Sequence, residues 1–196
     1  SEDVANFIVG DITLTNATAS NFTTTSGSVY TALITPAAEG SVTIDIAKDI
    51  ANDAASNGNS AATQFSINYD VTKPSTTISS TVNNPTNSTF TATFTFSEDV
   101  SNFVIGDITL TNATASNFSN TSASVYSALI TPIADGNVTI DISADKANDA
   151  ATNGNTAAAQ FSTVYDATKP SPPVIVSIDS YTCSGNTSTT ADNTLV

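Results

Sequence analysis

TFTATFTF, residues Thr89–Phe96, decides how this chain is read. Phe90, Ala92, Phe94 and Phe96 fall on one side of an extended backbone and the threonines on the other, because successive strand side chains point to opposite faces. The ring-bearing face needs a second layer to cover it, whereas the threonine face tolerates water. The same two-residue period recurs in VTIDI (Val42–Ile46 and Val138–Ile142) and in QFSINYD, where Phe65, Ile67 and Tyr69 alternate. β-Branched and aromatic residues fill these runs, and Asn, Gly and Pro separate them. Helical spacing is weak; the alanines of AKDIANDAAS predict one short turn at most. The expectation is an all-β chain of half-buried antiparallel strands.

Outward from that strand the dominant signal is duplication. SEDVANFIVGDITLTNATASNF (Ser1–Phe22) returns as SEDVSNFVIGDITLTNATASNF (Ser97–Phe118), and the match runs without a gap to YDVTKPS (Tyr69–Ser75) and YDATKPS (Tyr165–Ser171). About three quarters of the paired positions are identical. An offset of 96 residues, Ser97 against Ser1, is too long for a solenoid coil and suits a whole domain. Roughly seven short strands in such a unit fit a β-sandwich of the immunoglobulin (Ig) kind. Three segments follow. Residues 1–74 form a repeat without its first two strands. Residues 75–170 form a complete repeat, with those strands at Thr77–Val82 and Ser88–Phe96. Residues 171–196 open a third, divergent domain. A sandwich short of two strands leaves sheet edge and core open. The sequence therefore reads as a window on a longer repetitive polypeptide, with strand donation by a neighbouring subunit as the alternative.

Composition narrows the function. The chain has 196 residues, 18 acidic and four basic side chains and a net charge of −14. That charge is spread along the chain and repels nucleic acid and anionic membranes, so neither is expected as a partner. His, Met and Trp are absent and Cys183 stands alone. No internal disulfide, Ser–His or Cys–His nucleophile or His-ligated zinc can be built from this set. No apolar run approaches the roughly 18 residues of a membrane span, and an export signal is expected outside this segment. Glu98 and Asp99 could be imagined as a glycosidase pair, but neighbours on a strand point to opposite faces. No enzyme is expected. The alternative function is a binding module that recognises a glycan or another protein through exposed strands and loops; a glycan site would want exposed aromatic platforms, and Tyr30, Tyr69, Tyr126 and Tyr165 sit at strand positions that predict core or rim instead. Twisted sandwich sheets offer a poor lattice for ice.

The stretches FSEDVSNFVIGDITLTNATASNF (Phe96–Phe118) and ALITPIADGNVTIDISADKANDAATNGNTAAAQFSTVYD (Ala128–Asp166) resemble the bacterial Ig-like repeats of very large surface adhesins. In those repeats an FSE-x-V strand end, a D-x-T-x-T-N-G/A strand and an A-x-D-x-A-G/N-x-G-N loop recur. The tail IDSYTCSGNTSTTADNTLV looks like the start of another Ig-like type, with Cys183 where Gly is more usual. The resemblance covers nearly the whole chain. It implies tandem Ig-like domains forming the stalk of a bacterial cell-surface adhesin or extracellular fibre, often calcium-stiffened, with the adhesive tip elsewhere. The implied partners are neighbouring Ig-like domains of the same chain, together with lateral or head-to-tail self-association.

Sandwich topology also gives a reason for the oxygen-rich loops DIANDAASNGNSAA (Asp49–Ala62) and DKANDAATNGNTAA (Asp145–Ala158). The loop after the second strand and the loop between the last two strands share the pole where the chain enters from the preceding domain. Asp70 of one repeat can thereby approach Glu98, Asp99, Asp145, Asp149, Asn153 and Asn155 of the next. Converging carboxylates repel, and Ca2+ resolves that by taking six to eight oxygens at about 2.3–2.6 Å in flexible geometry. Magnesium demands tighter octahedral order, and softer metals find no imidazole or thiolate here. The glycine in NGN suits a sharp turn that aims carbonyls inward. The same logic groups Asp166 with Asp179, Asp192 and Asn193, and places Glu2, Asp3, Asp49, Asp53, Asn57 and Asn59 in a site toward an upstream domain. Ordinary turn chemistry accounts for the same residues, since Asn and Asp tolerate left-handed backbone and bond locally. Asp11 and Asp107, in GDIT, suit turn capping, or a ligand role at the opposite pole. Lys73-Pro74 and Lys169-Pro170 mark linkers whose bending proline limits.

Overall fold

A computed structural model describes residues 2–174. Cys183, Asp179, Asp192, Asn193 and most of the third segment lie outside them. The first repeat contributes β1 (Ile12–Thr15), β2 (Ala17–Ser26), β3 (Val29–Pro36), β4 (Gly40–Ile46) and β5 (Phe65–Tyr69). The second contributes β6 (Thr76–Ser79), β7 (Phe90–Phe96), β8 (Ile108–Thr111), β9 (Ala113–Ser122), β10 (Val125–Pro132), β11 (Gly136–Ile142) and β12 (Phe161–Tyr165). Helix among the described residues is limited to 3-10 turns at Val9–Asp11 and Ile105–Asp107. AKDIANDAAS makes hydrogen-bonded turns, not a helix. β6 ends earlier than its apolar pattern predicts. The Ser80 hydroxyl donates to the Thr91 carbonyl and accepts from the Val82 N–H, so a side chain replaces the ladder there.

The second repeat is a complete Ig-like sandwich. One sheet runs β6–β7–β10–β9 and the other β12–β11–β8, all neighbours antiparallel. In order of appearance, strands one, two, five and four face strands seven, six and three, as in a constant-type Ig domain. Pairing places Phe94 opposite Tyr126, Ala92 opposite Ala128 and Phe90 opposite Ile130. With Val138, Ile140 and Ile142 from β11 they form the core, in which Phe94, Ile130 and Ile140 have no solvent exposure. Each such side chain contributes on the order of 1.5–3 kcal/mol over its exposed state. Phe103, from the loop after β7, packs edge-on against Phe94, Phe96 and Tyr126, ring centroids 5.1–5.9 Å apart. The Tyr126 hydroxyl donates to the Val100 carbonyl at 3.1 Å, tying that loop to β10. Asn117 (φ 50°) sits where β9 slips register against β10, and Asn21 (φ 51°) does the same in β2. A left-handed residue at such a bulge is where Asn is tolerated.

The first repeat has only the later five strands among the described residues. They form a β1–β4–β5 sheet and a β2–β3 hairpin. Its inner face is correspondingly open, with Phe65 56% and Ile67 55% exposed.

Candidate metal centre

The junction between the repeats is built by backbone hydrogen bonds before any side chain is considered. After β5 the chain runs through Asp70–Ser75 and lies against the second repeat. The Pro74 carbonyl accepts from the Thr156 N–H at 2.8 Å, and Ser75 and Ser97 exchange bonds in both directions. Pro74 is fully buried, so the linker proline is a packing residue as well as a stiffener. The loop after β7 and the loop between β11 and β12 meet through Ser101 and Asn148, whose N–H and carbonyl groups pair at 2.7 and 3.2 Å. The linker and the two loops thus share one end of the second sandwich.

At that end three carboxylates converge. One oxygen each from Asp70, Glu98 and Asp149 lie within 4.8 Å of one another. Asp149 is only 5% exposed, and its two oxygens accept from the Asn153 backbone N–H (2.8 Å) and side-chain amide (2.9 Å). Burial alone would raise its pKa, but these bonds and neighbouring backbone donors outweigh that and hold it below the ordinary aspartate value. The Asn153 amide also donates to the Asp70 carbonyl at 3.1 Å, clasping the linker to the loop. Glu98 is shifted the other way. Burial, then the charges of Asp149, Asp70 and Glu39, push its pKa up, with no donor to offset them. A half-buried carboxylate held among like charges is the electrostatic signature of a place that favours a cation.

Glu39 carries no signal in the sequence as a site residue. It sits in the β3–β4 turn, where Gly40 takes φ 113°, a conformation favouring glycine. Its Oε1 accepts from the Val71 N–H at 2.9 Å and the Thr72 hydroxyl at 2.6 Å, which lower its pKa. Asp135 repeats the arrangement with Ala167 and Thr168. These turns therefore brace each linker as it leaves its repeat.

Other predicted residues lie apart from the three carboxylates. Asn155 is wholly buried and spends both side-chain atoms on its own loop. Its Oδ1 accepts from the Lys146 and Ala147 N–H groups, and its Nδ2 donates to the Ser143 and Thr156 carbonyls. Asn59 makes the same four kinds of bond in the first repeat. Asp145, at φ 59°, turns toward Lys73, 3.5 Å away. Asp49 faces Lys48 likewise. Asp99 is exposed. Gly154 of NGN does not take left-handed backbone; a Cβ there would meet the Asp145 carboxylate, an exposed group able to turn aside, and approach the Asp145 Cα at 3.1 Å. Left-handed backbone falls instead on Asp145 and Thr152 (φ 71°), and on Asp49 and Ser56 (φ 66°) in the first repeat. Asp53 is bonded by Asn57 as Asp149 is by Asn153, but no third carboxylate joins it and Glu2 or Asp3 among the described residues. Asp166 accepts from the Thr168 N–H, as Asp70 does from Thr72. Asp11 and Asp107 cap their 3-10 turns by accepting from the Ile8 and Val104 N–H groups. The turn-capping reading therefore holds, and Asp107 lies 4.0 Å from Lys146, beside the β11–β12 loop and not at the opposite pole of the alternative reading.

The donor set fits a hard cation: three carboxylates from three separate chain segments, oxygen only, with no lysine paired to any of them among the described residues. A family model described as a bacterial Ig-like domain matches the chain twice, over residues 1–69 and 70–165. No curated protein and no solved structure matches it.

Proposed function

The chain belongs to the bacterial Ig-like domain family, and from that premise we propose that it is a stalk segment of a bacterial surface adhesin or extracellular fibre, stiffened by Ca2+ between its repeats. Members of this family are typically non-catalytic modules of surface proteins, and no described helix is long and apolar enough to cross a membrane. The observation that carries the proposal is the convergence of Asp70, from the end of one repeat, with Glu98 and Asp149 of the next. A cation there ties the linker to both loops and restricts the hinge. The fibre is extracellular, its nearest partners are neighbouring domains of the same chain, and the segment performs no chemistry.

The test is thermal unfolding of the chain in Ca2+, in Mg2+ and in chelator. Ca2+ at a hundredfold over its dissociation constant should stabilise the folded state by about 2.7 kcal/mol. Mg2+ should do much less, and Glu98→Gln or Asp70→Asn should remove the Ca2+ increment. Superimposable melts in Ca2+ and chelator would leave a plain Ig-like spacer.

A further inference from the structure

In the β11–β12 loop, Asn153 and Gly154 are neighbours whose chemistry the junction leaves unused. Asn148 and Gly154 lie opposite each other in an antiparallel bridge. Its two bonds flank the pair: the Asp149 N–H donates to the Asn153 carbonyl at 3.2 Å, and the Asn155 N–H to the Ala147 carbonyl at 2.9 Å. The Gly154 N–H takes part in neither, and no described residue accepts from it. Glycine has no side chain to shield that nitrogen from the carboxamide before it. The carboxamide itself is held from the other side. Its Nδ2 donates to the Asp149 carboxylate at 2.9 Å and to the Asp70 carbonyl at 3.1 Å, the second bond reaching across to the linker. Asn153 and Gly154 are half-buried, whereas Asn57 and Gly58, the same pair with no described linker across it, are exposed.

We propose that Asn153–Gly154 is a self-modification site gated by the linker, at which the clasping amide is converted to a carboxylate. With the linker lifted, solvent removes the Gly154 N–H proton and the nitrogen attacks the Asn153 Cγ. The bond from Cγ to Nδ2 breaks, ammonia leaves with a proton from solvent, and a five-membered succinimide remains. Water then opens the ring at either carbonyl, giving aspartate or isoaspartate at position 153 with no change in oxidation state. The reaction is spontaneous and uses no catalytic residue, so it is a fate of the chain and not an enzymatic activity. Its product reverses the clasp. An acceptor oxygen replaces the donor that faced the Asp149 carboxylate and the Asp70 carbonyl. A further negative charge also joins Asp70, Glu98 and Asp149. Without a cation the junction is thereby loosened for good. The modification needs no metal; its slowing by Ca2+ rests on the junction reading proposed above.

The test holds the full chain at mildly alkaline pH, in chelator and in Ca2+, while peptide mapping separates asparagine, aspartate and isoaspartate at positions 57 and 153. Asn57, bonded to Asp53 as Asn153 is to Asp149, supplies the ungated rate in the same sample. In chelator Asn153 should convert about fivefold more slowly than Asn57, the protection that one hydrogen bond gives against local opening. Ca2+ should slow Asn153 further and leave Asn57 unchanged. An Asn153 that is still an amide when Asn57 is exhausted overturns the proposal. So do equal rates at the two positions, because the clasp then gates nothing. Slow conversion at Asn153 that Ca2+ does not alter upholds the modification and counts against the cation alone. As a second measurement, Asn153→Asp carries the charge of the product. In chelator the Thr156 amide, which donates to the Pro74 carbonyl, should exchange about tenfold faster in this variant. Asn153→Ala, which loses the bond without gaining a charge, should accelerate it less. Exchange at Thr156 that is the same in Asn153→Asp as in the unaltered chain overturns the loosening, because the junction then tolerates the product.

Discussion

The loop Ala51–Asn59 and the loop Ala147–Asn155 differ at a single position, Ser56 against Thr152, and carry the same internal hydrogen bonds. Their surroundings differ. Asn155 and Asp149 are buried, whereas Asn59 and Asp53 are half-buried and Asn57 is exposed. The loop's shape is thus local, but its burial comes from outside, from a preceding linker and from two added strands. The same contrast runs through the core: Ile130 has no exposure and its counterpart Ile34 is half-buried. One sequence pattern specifies both repeats, and its stabilising value depends on what covers it.

The largest expected effect exploits that contrast. Ile130→Ala should destabilise the second repeat by about 2–5 kcal/mol, the usual result of emptying a closed core site. Ile34→Ala should lose less than half as much, because water already reaches its side chain. Urea unfolding of both variants decides it, and equal losses would mean that the first repeat closes its core in solution.

Next come the loop asparagines. Asn155→Ala leaves two N–H groups and two carbonyls short of partners, and a buried unmet group costs about 1–3 kcal/mol. Asn59→Ala should cost less, since water can replace the lost bonds. If the two substitutions are equivalent by thermal melt, burial is not what separates the loops.

These residues also show where the sequence stops being legible. Alternation in TFTATFTF and VTIDI identified strands because a period of two has one structural meaning. The meeting of Asp70, Glu98 and Asp149 followed from topology, since the constant-type order puts those loops and the entering linker at one pole. Side-chain roles within the loop did not follow. A ligand asparagine and a loop-bracing asparagine read alike in NGN, and only Asn155's four bonds tell them apart. Glu39 was hidden for another reason: it reaches the junction through the Val71 N–H and the Thr72 hydroxyl, a relation with no spacing rule. β6 was overextended because the Ser80 hydroxyl competes with the ladder, which apolar periodicity does not register.

A subtler effect separates the junctions by pH in chelator. Glu98 has a folded pKa raised above its ordinary 4.5, so its ionised form disfavours the fold above the raised value. Stability should climb as pH falls through that value toward 4.5, since the folded state then binds the extra proton. Asp149 has the opposite sign. Its contribution is present above the ordinary 3.8 and is lost as pH falls through its depressed folded value. The melting temperature of the second repeat should therefore pass through a maximum between these limbs. Glu98→Gln should raise stability at neutral pH and flatten the upper limb. An upper limb that survives Glu98→Gln would assign it to another group.

The smallest effect concerns the one position where the loops differ. Thr152 has φ 71° and Ser56 φ 66°, and a β-branched residue is the more strained of the two in left-handed backbone. The Thr152 side chain is exposed, and its N–H donates to the Asp149 carbonyl, a bond that any residue but proline keeps. Thr152→Asn should therefore relieve strain without removing a packing contact. A gain of about 0.5–1 kcal/mol is expected, which for a repeat of this size is a few degrees in Tm. Ser56→Asn should gain less, because an unbranched serine has less strain to relieve. If Thr152→Asn leaves the melt unchanged, the left-handed turn is unstrained in both repeats and the difference between them reduces to burial alone.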